Sequence, residues 1–322
     1  MNNTGDAAPE KSNTMAATTA HHLNLNRRRS SVISRPFAGR LGSNQEFSVE
    51  PGDPGYEEIT AKAPDASTHL TWSRSLDLRG LSDSELWKQA CIEGIGASFL
   101  TFLTGCFALG LAPYATTTSL GPVTPAIIGG IANAIILPLF IFAGGPVSGG
   151  HFNPFITMST FFARLSTLPR TVVYVLLQCT GSVIGGFMLR AATALKPKDL
   201  AIIPGCYANP AQVSSAQVYA FEVMTGCALI FLSFGVGLDP RQRGVFGPAL
   251  APILVGVILG ICTFATSFII PGYTGATLNP ARCLGLMAAG QRFDYHWVQW
   301  LGDITAAALH GLLYWAIPPY KY

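Results

Sequence analysis

The stretches "SGGHFNPFIT" at residues 148–157 and "TGATLNPARCLG" at residues 274–285 decide the fold of this chain. In each, a loop of small residues leads into Asn-Pro and then into residues that can form a helix. Asn is a favoured N-cap residue, and Pro suits the first helical position because its missing N–H costs nothing there. We therefore predict helices that begin at Pro154 and Pro280, capped by Asn153 and Asn279.

Both predicted helices are too short to cross a membrane. They cover residues 154–164 and 280–290, so each is about ten residues or roughly 15 Å long, half the hydrocarbon thickness of a bilayer. The loops before them would lie at membrane depth. Irregular backbone is tolerated there only where it is buried in protein or lines a water-filled cavity. The two motifs therefore predict a pair of re-entrant half-helices.

The composition is that of a membrane protein. Of the 322 residues 49% are hydrophobic and only 11% are charged, against about 25% charged in an ordinary soluble domain. Residues 94–150 and 244–281 contain no Asp, Glu, Lys or Arg, and both runs exceed the roughly 20 residues that one span needs. The net charge of +3 and the lack of a nucleic-acid-binding motif argue against a nucleic-acid partner. We predict six transmembrane helices near residues 87–111, 122–143, 171–193, 216–238, 248–270 and 296–317.

The two halves of the chain repeat each other. Asn153 and Asn279 are 126 residues apart, and a glutamate precedes each of them at a similar distance, Glu93 by 60 residues and Glu222 by 57. Each half has three spans, an odd number, so the second half must enter the membrane from the opposite side. The predicted fold is therefore an all-α membrane protein with an inverted 3+3 repeat, in which the functional site lies near the midplane.

The domain prediction follows from a change in composition near residue 83, from a polar region to an apolar one. Residues 1–83 are polar and lack periodic apolar positions, so we expect a disordered cytoplasmic region. Residues 84–322 form the channel domain, with repeats at 84–195 and 214–320. The distribution of Lys and Arg places both termini in the cytoplasm, on the positive-inside rule.

The N-terminal region contains "RRRSS" at residues 27–31, which fits a kinase site that prefers basic residues. Ser30 and Ser31 are thus candidate regulatory residues. The region is either an inert tail or a segment that folds back and plugs the cytoplasmic mouth. Phosphorylation would add roughly −1.5 to −2 charges at each serine and could release such a plug.

The two half-helices would meet N-terminus to N-terminus at mid-membrane. Their positive dipole ends would repel cations and protons, while Asn153 and Asn279 offer amide donors to a file of water. Glu93 and Glu222 would accept hydrogen bonds that hold the two re-entrant loops. The alternative is that both glutamates snorkel at helix ends.

These motifs resemble those of the aquaporin family, also called major intrinsic proteins. The resemblance covers about residues 87–318 and depends on "SGGHFNP", "NPAR" and the paired glutamates. The variant "NPARC", ending in Cys283, is similar to the subgroup called X intrinsic proteins. Aquaglyceroporins typically carry Asp at that place, which argues against a typical glycerol facilitator. The resemblance implies a homotetramer in the lipid bilayer, with one pore per subunit. We expect the protein in the plasma membrane.

The resemblance also implies an outer selectivity filter. Arg282 would line this constriction, and offsets along the chain add Asn133, Ala276 and Thr266, or Ser267 if the loop holds one extra residue. None of these residues is aromatic, so the opening should be wider and more polar than that of a water-specific channel. We expect water and small neutral solutes to pass, with hydrogen peroxide, urea and glycerol as candidates.

Three further residues need an interpretation. His151 is either a pore-lining hydrogen-bond partner or a pH sensor. Phe155 replaces the Ala that usually follows Asn-Pro, so its ring must pack behind the half-helix or crowd the neighbouring loop. Asp303 lies in the last span, where an ionisable group is functional by default unless it lies near the span's end and reaches water or a protein donor.

Cys206 and Cys283 both fall on the predicted external half. They could form a disulfide if their Cα atoms come within about 7 Å, and the alternative is two free thiols. The sequence shows no metal-ligand cluster and predicts no cofactor.

We predict a passive channel. A secondary transporter shares the inverted-repeat architecture and remains the alternative, although coupling would require midplane acidic residues. No nucleophile–base pair indicates an enzyme.

Overall fold

The computed structural model describes residues 36–41, 48–200, 203–242 and 245–317. The candidate phosphorylation sites Ser30 and Ser31 lie outside the described residues.

Long helices dominate the described part of the chain. The first span, α3, is 28 residues long and begins at the N-cap Asp83, whose side chain accepts from the N–H of Glu85. The fourth, α8, begins with a capping box between Ser214 and Gln217 and continues through a π-helical turn to Leu238. The bounds of the long helices are α3 Ser84–Leu111, α5 Val123–Ser148, α7 Leu168–Thr193, α8 Ser215–Ser233, α9 Gly247–Thr266 and α11 His296–Ala316.

Five of these helices are long and apolar enough to cross a bilayer by length and composition alone, among the described residues. The sixth long helix, α11, carries His296, Gln299, Asp303 and His310 on its buried side, which lowers its mean hydropathy. Its 21 residues still span roughly 30 Å at 1.5 Å per residue. The all-α membrane fold with six long helices matches the prediction.

The two half-helices begin at the predicted residues. Helix α6 spans Pro154–Phe162 and helix α10 spans Pro280–Gly290, with Asn153 and Asn279 as N-caps. A short helix, α4 at Tyr114–Thr117, extends the first span.

Helix packing follows the repeat. Helix α3 packs on α7 in the first half and α8 packs on α11 in the second, while α5 and α9 meet at the centre. Each half-helix packs on the last helix of the other half, α10 on α7 and α6 on α11. This crossed packing interlocks the two repeats and brings both Asn-Pro motifs to the same depth.

Small residues allow the closest crossings. A Cβ atom at Gly181 would lie 1.9 Å from the carbonyl oxygen of Gly94, and one at Gly186 would lie 2.0 Å from that of Gly285. Backbones can approach this closely only where neither helix carries a side chain, as is common between membrane helices.

The outer surface of the bundle is apolar. Met224 and Leu312 are each 70% exposed, and Leu139 is 61% exposed. So many exposed large apolar side chains would be an aggregation hazard in water but suit a lipid environment.

The prediction of disorder up to residue 83 is wrong for residues 36–41, which are buried, and for residues 48–83. The latter part forms two short helices, α1 at Tyr56–Lys62 and α2 at Trp72–Ser75, with 3₁₀ turns between and after them. It is anchored by a buried ion pair between Asp65 and Arg170, with Nε 2.6 Å from Oδ2. These residues show no periodic apolar pattern because the helices are short and are held by polar contacts.

We call the end of the bundle that carries residues 36–41 and 48–83 the tail face. The opposite end, which carries the loops at 203–213 and 270–276, is the loop face.

Candidate permeation pathway

The two Asn caps connect the re-entrant loops to each other. Oδ1 of Asn153 accepts from the N–H of Phe155 at 2.9 Å, and its Nδ2 donates to the carbonyl of Leu278 at 2.7 Å. Oδ1 of Asn279 accepts from its own half-helix, and its Nδ2 donates to the carbonyl of Phe152 at 3.0 Å. Each asparagine therefore caps one half-helix and bonds to the loop before the other.

The residue before each Asn has a strained backbone. Phe152 has φ 48° and Leu278 has φ 53°, a left-handed region that costs large side chains energy. The strain turns both carbonyls toward the opposite Asn. Sequence reasoning missed these two residues, because neither is a Gly or Asn that would signal such a conformation.

Glu93 holds the first re-entrant loop. Fully buried, it accepts hydrogen bonds from the backbone N–H groups of His151 at 3.0 Å and Phe152 at 2.5 Å. It also accepts from Oγ of Ser148 and Nε2 of Gln178.

Glu222 does the same for the second loop. It is also fully buried, and it accepts from the N–H of Thr277 at 2.9 Å and from the hydroxyls of Thr277 and Tyr273. A Cβ atom at Gly302 would lie 2.4 Å from Cβ of Glu222, so this glycine makes room for the glutamate. Neither glutamate reaches a helix end, so the snorkelling alternative does not describe them.

A cavity of about 330 Å³ passes both Asn-Pro motifs. It extends from side chains near the loop face to Leu41 at the tail face. The lining residues include Phe107, Asn133, His151, Asn153, Pro204, Gly205, Leu229, Ser233, Val255, Thr263, Ser267, Ala276, Asn279 and Arg282.

The structure brings most of the predicted filter residues together. Asn133, Ala276 and Arg282 all line the cavity. Nη2 of Arg282 donates to the carbonyls of Gly205 at 2.9 Å and Thr277 at 3.3 Å, which fixes the guanidinium beside the lumen.

The assignment of Thr266 to the lining needs correction. Thr266 is not among the described residues that line the cavity, whereas Ser267 and Thr263 are. Its hydroxyl donates to the carbonyl of Cys262 at 2.9 Å and accepts from the N–H of Ala276 at 3.0 Å, so it supports the loop instead. Residues 263 and 267 share a helix face because they are four apart, and this face points to the cavity.

The loop before α8 adds a wall that sequence reasoning did not assign to the filter. Pro204 and Gly205 line the cavity beside Arg282. The next residue, Cys206, forms a disulfide with Cys283, with Cα atoms 5.2 Å apart. The two cysteines were the available signal, because a crosslink between them brings residues 204–205 to the start of α10.

His151 is bound on both ring nitrogens. Nε2 lies 2.7 Å from the carbonyl of Gly39, to which it donates, and Nδ1 lies 3.1 Å from the hydroxyl of Thr157. The ring is 1% exposed although it borders the cavity. In this conformation its polar atoms face protein and not a file of solute.

Phe155 and Asp303 are both buried but have different surroundings. The ring of Phe155 is fully buried and packs behind the half-helix, in space left by Gly226 and beside Ala306. Asp303 is fully buried in α11, and among the described residues neither of its carboxylate oxygens has a hydrogen-bond partner. Of the two interpretations of Asp303, the described residues therefore do not support the one in which its carboxylate reaches a protein donor.

The charge along the pathway comes from two helix ends and one arginine. The described residues include no group of three or more His, Cys, Asp or Glu side chains that could hold a metal ion. Two half-helix N-termini and one arginine make the centre and loop-face end of the pathway positive. Such an arrangement favours neutral polar solutes with oxygen acceptors.

Half-helices that meet through Asn caps beside a continuous cavity define a membrane channel of the inverted-repeat class. The family model described as Major intrinsic protein matches residues 80–314, and the chain belongs to this family. Its members are channels and not enzymes, and this chain is a passive channel for water and small solutes.

Individual relatives agree with this assignment. The chain is 31% identical over 236 residues to Probable aquaporin TIP1-2 of Oryza sativa subsp. japonica, covering 73% of this chain and 88% of the relative. It is 29% identical over 238 residues to Aquaporin TIP1-1 of Zea mays, covering 72% and 90%. The X-ray structure of the aquaglyceroporin from Plasmodium falciparum shares the fold, with a TM-score of 0.56, 21% identity and coverage of 72% and 98%.

Proposed function

We propose that this channel conducts small neutral solutes as well as water, with hydrogen peroxide, urea and glycerol as candidates. The observation that carries the proposal is the filter wall of Asn133, Ser267, Ala276 and Arg282, none of which is aromatic. Small polar side chains leave width and hydrogen-bonding groups for a solute larger than water. Arg282 and the facing half-helix dipoles would exclude cations and protons.

Replacing Asn133 by Phe tests this proposal. The ring should narrow the constriction, so urea and glycerol fluxes should fall by roughly tenfold while water flux changes less, because a larger solute loses more in a narrower opening. Stopped-flow light scattering on proteoliposomes measures all three fluxes. Thr124→Phe, at a position on the same helix that does not border the cavity, is the matched control.

Unchanged water, urea and glycerol fluxes in well-folded Asn133→Phe protein would contradict the assignment of Asn133 to the filter. Flux through the wild-type filter should also rise linearly with solute concentration and ignore an ion gradient. Saturable, proton-driven flux would indicate a transporter.

We also propose that the conformation described here is closed at the tail face by residues 36–41. These residues are buried, with Arg40 1% and Leu41 2% exposed. The N–H of Leu41 donates to the carbonyl of Gly149 at 2.9 Å, and the N–H of Ala38 donates to that of Asp65 at 2.7 Å. Leu41 borders the cavity and packs with Val255 in the apolar cluster.

Arg40 anchors the segment. Its Nη1 donates to the carbonyls of Gly145 at 2.7 Å and Pro146 at 2.9 Å, and its Nη2 donates to that of Val147 at 3.4 Å. These are last-turn carbonyls of α5, and they form the negative end of the helix dipole. The carbonyl of Gly145 also accepts from the N–H of the C-cap residue Gly149 at 3.0 Å. Burial lowers the pKa of Arg40 to about 10, so it remains charged at neutral pH.

Aromatic packing completes the closure. The guanidinium of Arg170 lies 4.1 Å from the centre of the Phe37 ring, and the rings of Phe37 and His151 are 5.7 Å apart. Nε2 of His151 donates to the carbonyl of Gly39, so the segment binds a side chain that lies two residues before Asn153. This arrangement supports a role for His151 as part of the closed contact.

The closure is tested with full-length Leu41→Ala and Arg40→Ala. Both should raise water permeability per channel several-fold. Arg40→Ala removes charge-assisted hydrogen bonds typically worth about 1.5–3 kcal/mol, and Leu41→Ala removes buried apolar contacts typically worth about 2–5 kcal/mol. Leu76→Ala and Arg74→Ala change exposed residues of the tail face and are matched controls. Equal permeability in all five proteins at matched reconstitution density would show that the segment does not limit flux.

Phosphorylation of Ser30 and Ser31 is proposed to release the segment. Each phosphate would add roughly −1.5 to −2 charges directly after the basic run 27–29, which would weaken attraction of that run to anionic lipid or to the channel mouth. Ser30→Asp with Ser31→Asp should then raise permeability, and Ser→Ala at both positions should not.

We also propose a subgroup, an orientation, a membrane and an oligomeric state for this protein. Cys283 after "NPAR" supports the X intrinsic protein subgroup. The tail face would be cytoplasmic, and a disulfide near the loop face suits a plasma membrane whose outer side is oxidising. The family resemblance supports a homotetramer. Cross-linking in detergent tests the oligomeric state, and imaging of a tagged chain tests the membrane.

A further inference from the structure

The disulfide lies beside the filter arginine. Cys283 follows Arg282 directly on α10, and Cys206 follows Gly205, whose carbonyl accepts from Arg282 at 2.9 Å. The covalent link and the hydrogen bond therefore connect the same two segments at adjacent residues.

The position of Arg282 depends on these segments. Among the described residues, the oxygens that accept from its guanidinium are the carbonyls of Gly205 and Thr277. Thr277 belongs to the re-entrant loop held by Glu222, whereas Gly205 belongs to the outer loop. A long arginine side chain has many rotamers, so losing either oxygen would free it to move in the lumen.

The outer loop has noncovalent supports of its own. Oγ1 of Thr274 accepts from the N–H of Gly205 at 3.1 Å, and Nε2 of Gln299 donates to the carbonyl of Cys206 at 3.1 Å. A Cβ atom at Gly205 would lie 3.1 Å from Nη2 of Arg282, so the loop backbone touches the guanidinium closely. These bonds, and others between the loop and residues 272–274, join the loop to the second re-entrant loop and to α11. The disulfide is the one covalent link between this loop and α10 among the described residues.

The disulfide is better suited to a constraint than to a redox switch. Cys206 is 1% exposed and Cys283 is fully buried. Thiol–disulfide exchange requires an attacking thiolate to reach a sulfur atom, and access is blocked in this conformation. The link therefore persists while the channel works.

We propose that the Cys206–Cys283 disulfide determines the specificity of the outer constriction. It holds the Gly205 carbonyl, and through it Arg282, at the distance that sets the width of the opening. Without the link the loop moves outward, and urea and glycerol gain more than water does. This inference depends on the proposed filter, and both cysteines act as positioning residues.

The test compares full-length Cys206→Ser/Cys283→Ser protein with a Cys91→Ser/Cys179→Ser control, which removes two free cysteines. Both pairs are made in the Leu41→Ala protein so that the tail face does not limit flux. The ratios of urea and glycerol permeability to water permeability should rise roughly threefold in the first pair, equivalent to about 0.7 kcal/mol. The control ratios should not change.

A double-mutant cycle with Arg282→Ala separates positioning from stability. If the disulfide acts through Arg282, the triple variant without the disulfide and without Arg282 should have the same permeability ratios as Arg282→Ala alone. Wild-type ratios in a folded serine pair, even one with a lower melting temperature, would overturn the proposal.

Two further outcomes are decisive. If the Leu41→Ala protein conducts water but neither urea nor glycerol, the proposed solute class is wrong. In that case a gain of urea flux in the serine pair would still support the role of the disulfide, and no gain would contradict it. If the serine pair does not fold, prolonged incubation with a dithiol reagent can reduce the disulfide of assembled channels when local opening of the outer loop exposes a sulfur atom. The exchange forms two protein thiols and a cyclic reagent disulfide. Alkylation confirms the thiols, and unchanged ratios after reduction would again overturn the proposal.

Discussion

Two buried carboxylates in the second half have opposite surroundings. Glu222 accepts three kinds of donor from the loop before α10, whereas Asp303 has no hydrogen-bond partner among the described residues. Burying a polar group without a hydrogen-bond partner costs about 1–3 kcal/mol. Removing a buried group that has partners leaves those partners unsatisfied at a similar cost for each. The two residues should therefore respond differently to truncation.

Asp303→Ala should keep or raise thermal stability, because it removes two buried oxygens without partners. Glu222→Ala should lower the free energy of unfolding by roughly 3 kcal/mol or more, because it leaves several buried donors unpaired. Thermal unfolding in detergent measures both. An Asp303→Ala protein as unstable as Glu222→Ala would contradict the reading, and a stable Asp303→Ala protein without water flux would assign Asp303 a role in conduction.

At the scale of elements, the crossing of α3 and α7 sets the position of the first re-entrant loop. Glu93 on α3 and Gln178 on α7 bond to each other at 2.9 Å, and the N–H groups of the loop bond to Glu93. The helices approach closely enough for this only because Gly94 and Gly181 face each other.

Gly181→Ala should therefore destabilise the protein by roughly 1–3 kcal/mol, the usual cost of overpacking. The added Cβ would lie 1.9 Å from the Gly94 carbonyl, so the helices must separate. Gly129→Ala adds the same atom to α5 in open space and is the control. A melting temperature equal to that of the control would contradict the packing argument.

At the scale of the whole molecule, the proposed closure and the proposed filter lie at opposite ends of one cavity. Leu41 borders the tail-face end, and Arg282 and Gly205 border the other. If the tail segment opens and closes the whole pathway, its release changes the fraction of conducting channels and leaves the selectivity of each open channel to the filter. Leu41→Ala should therefore raise water, urea and glycerol fluxes together, with their ratios unchanged, and stopped-flow measurements of all three check this. Ratios that shift would mean that the tail segment also selects solutes.

The sequence by itself determined the architecture. Asn-Pro after a small-residue loop predicts a capped helix start from local chemistry alone, and α6 and α10 begin at Pro154 and Pro280 accordingly. The spans follow from long uncharged runs, since a bilayer imposes one length on every crossing helix. The ends of helices were less predictable: α5 continues to Ser148, because its last turn is stabilised by contacts with Arg40.

Only the tertiary structure decided the details of the pathway. Whether Thr266 or Ser267 borders the cavity depends on the rotation of α9 about its axis, which one loop residue can change. The burial of Asp303 and the strain at Phe152 and Leu278 arise where distant segments meet. Residues 36–41 carry no helix or strand pattern, and their position depends on carbonyls at the end of α5 more than 100 residues away. Short-range rules predict elements, whereas such contacts exist only after the elements have packed.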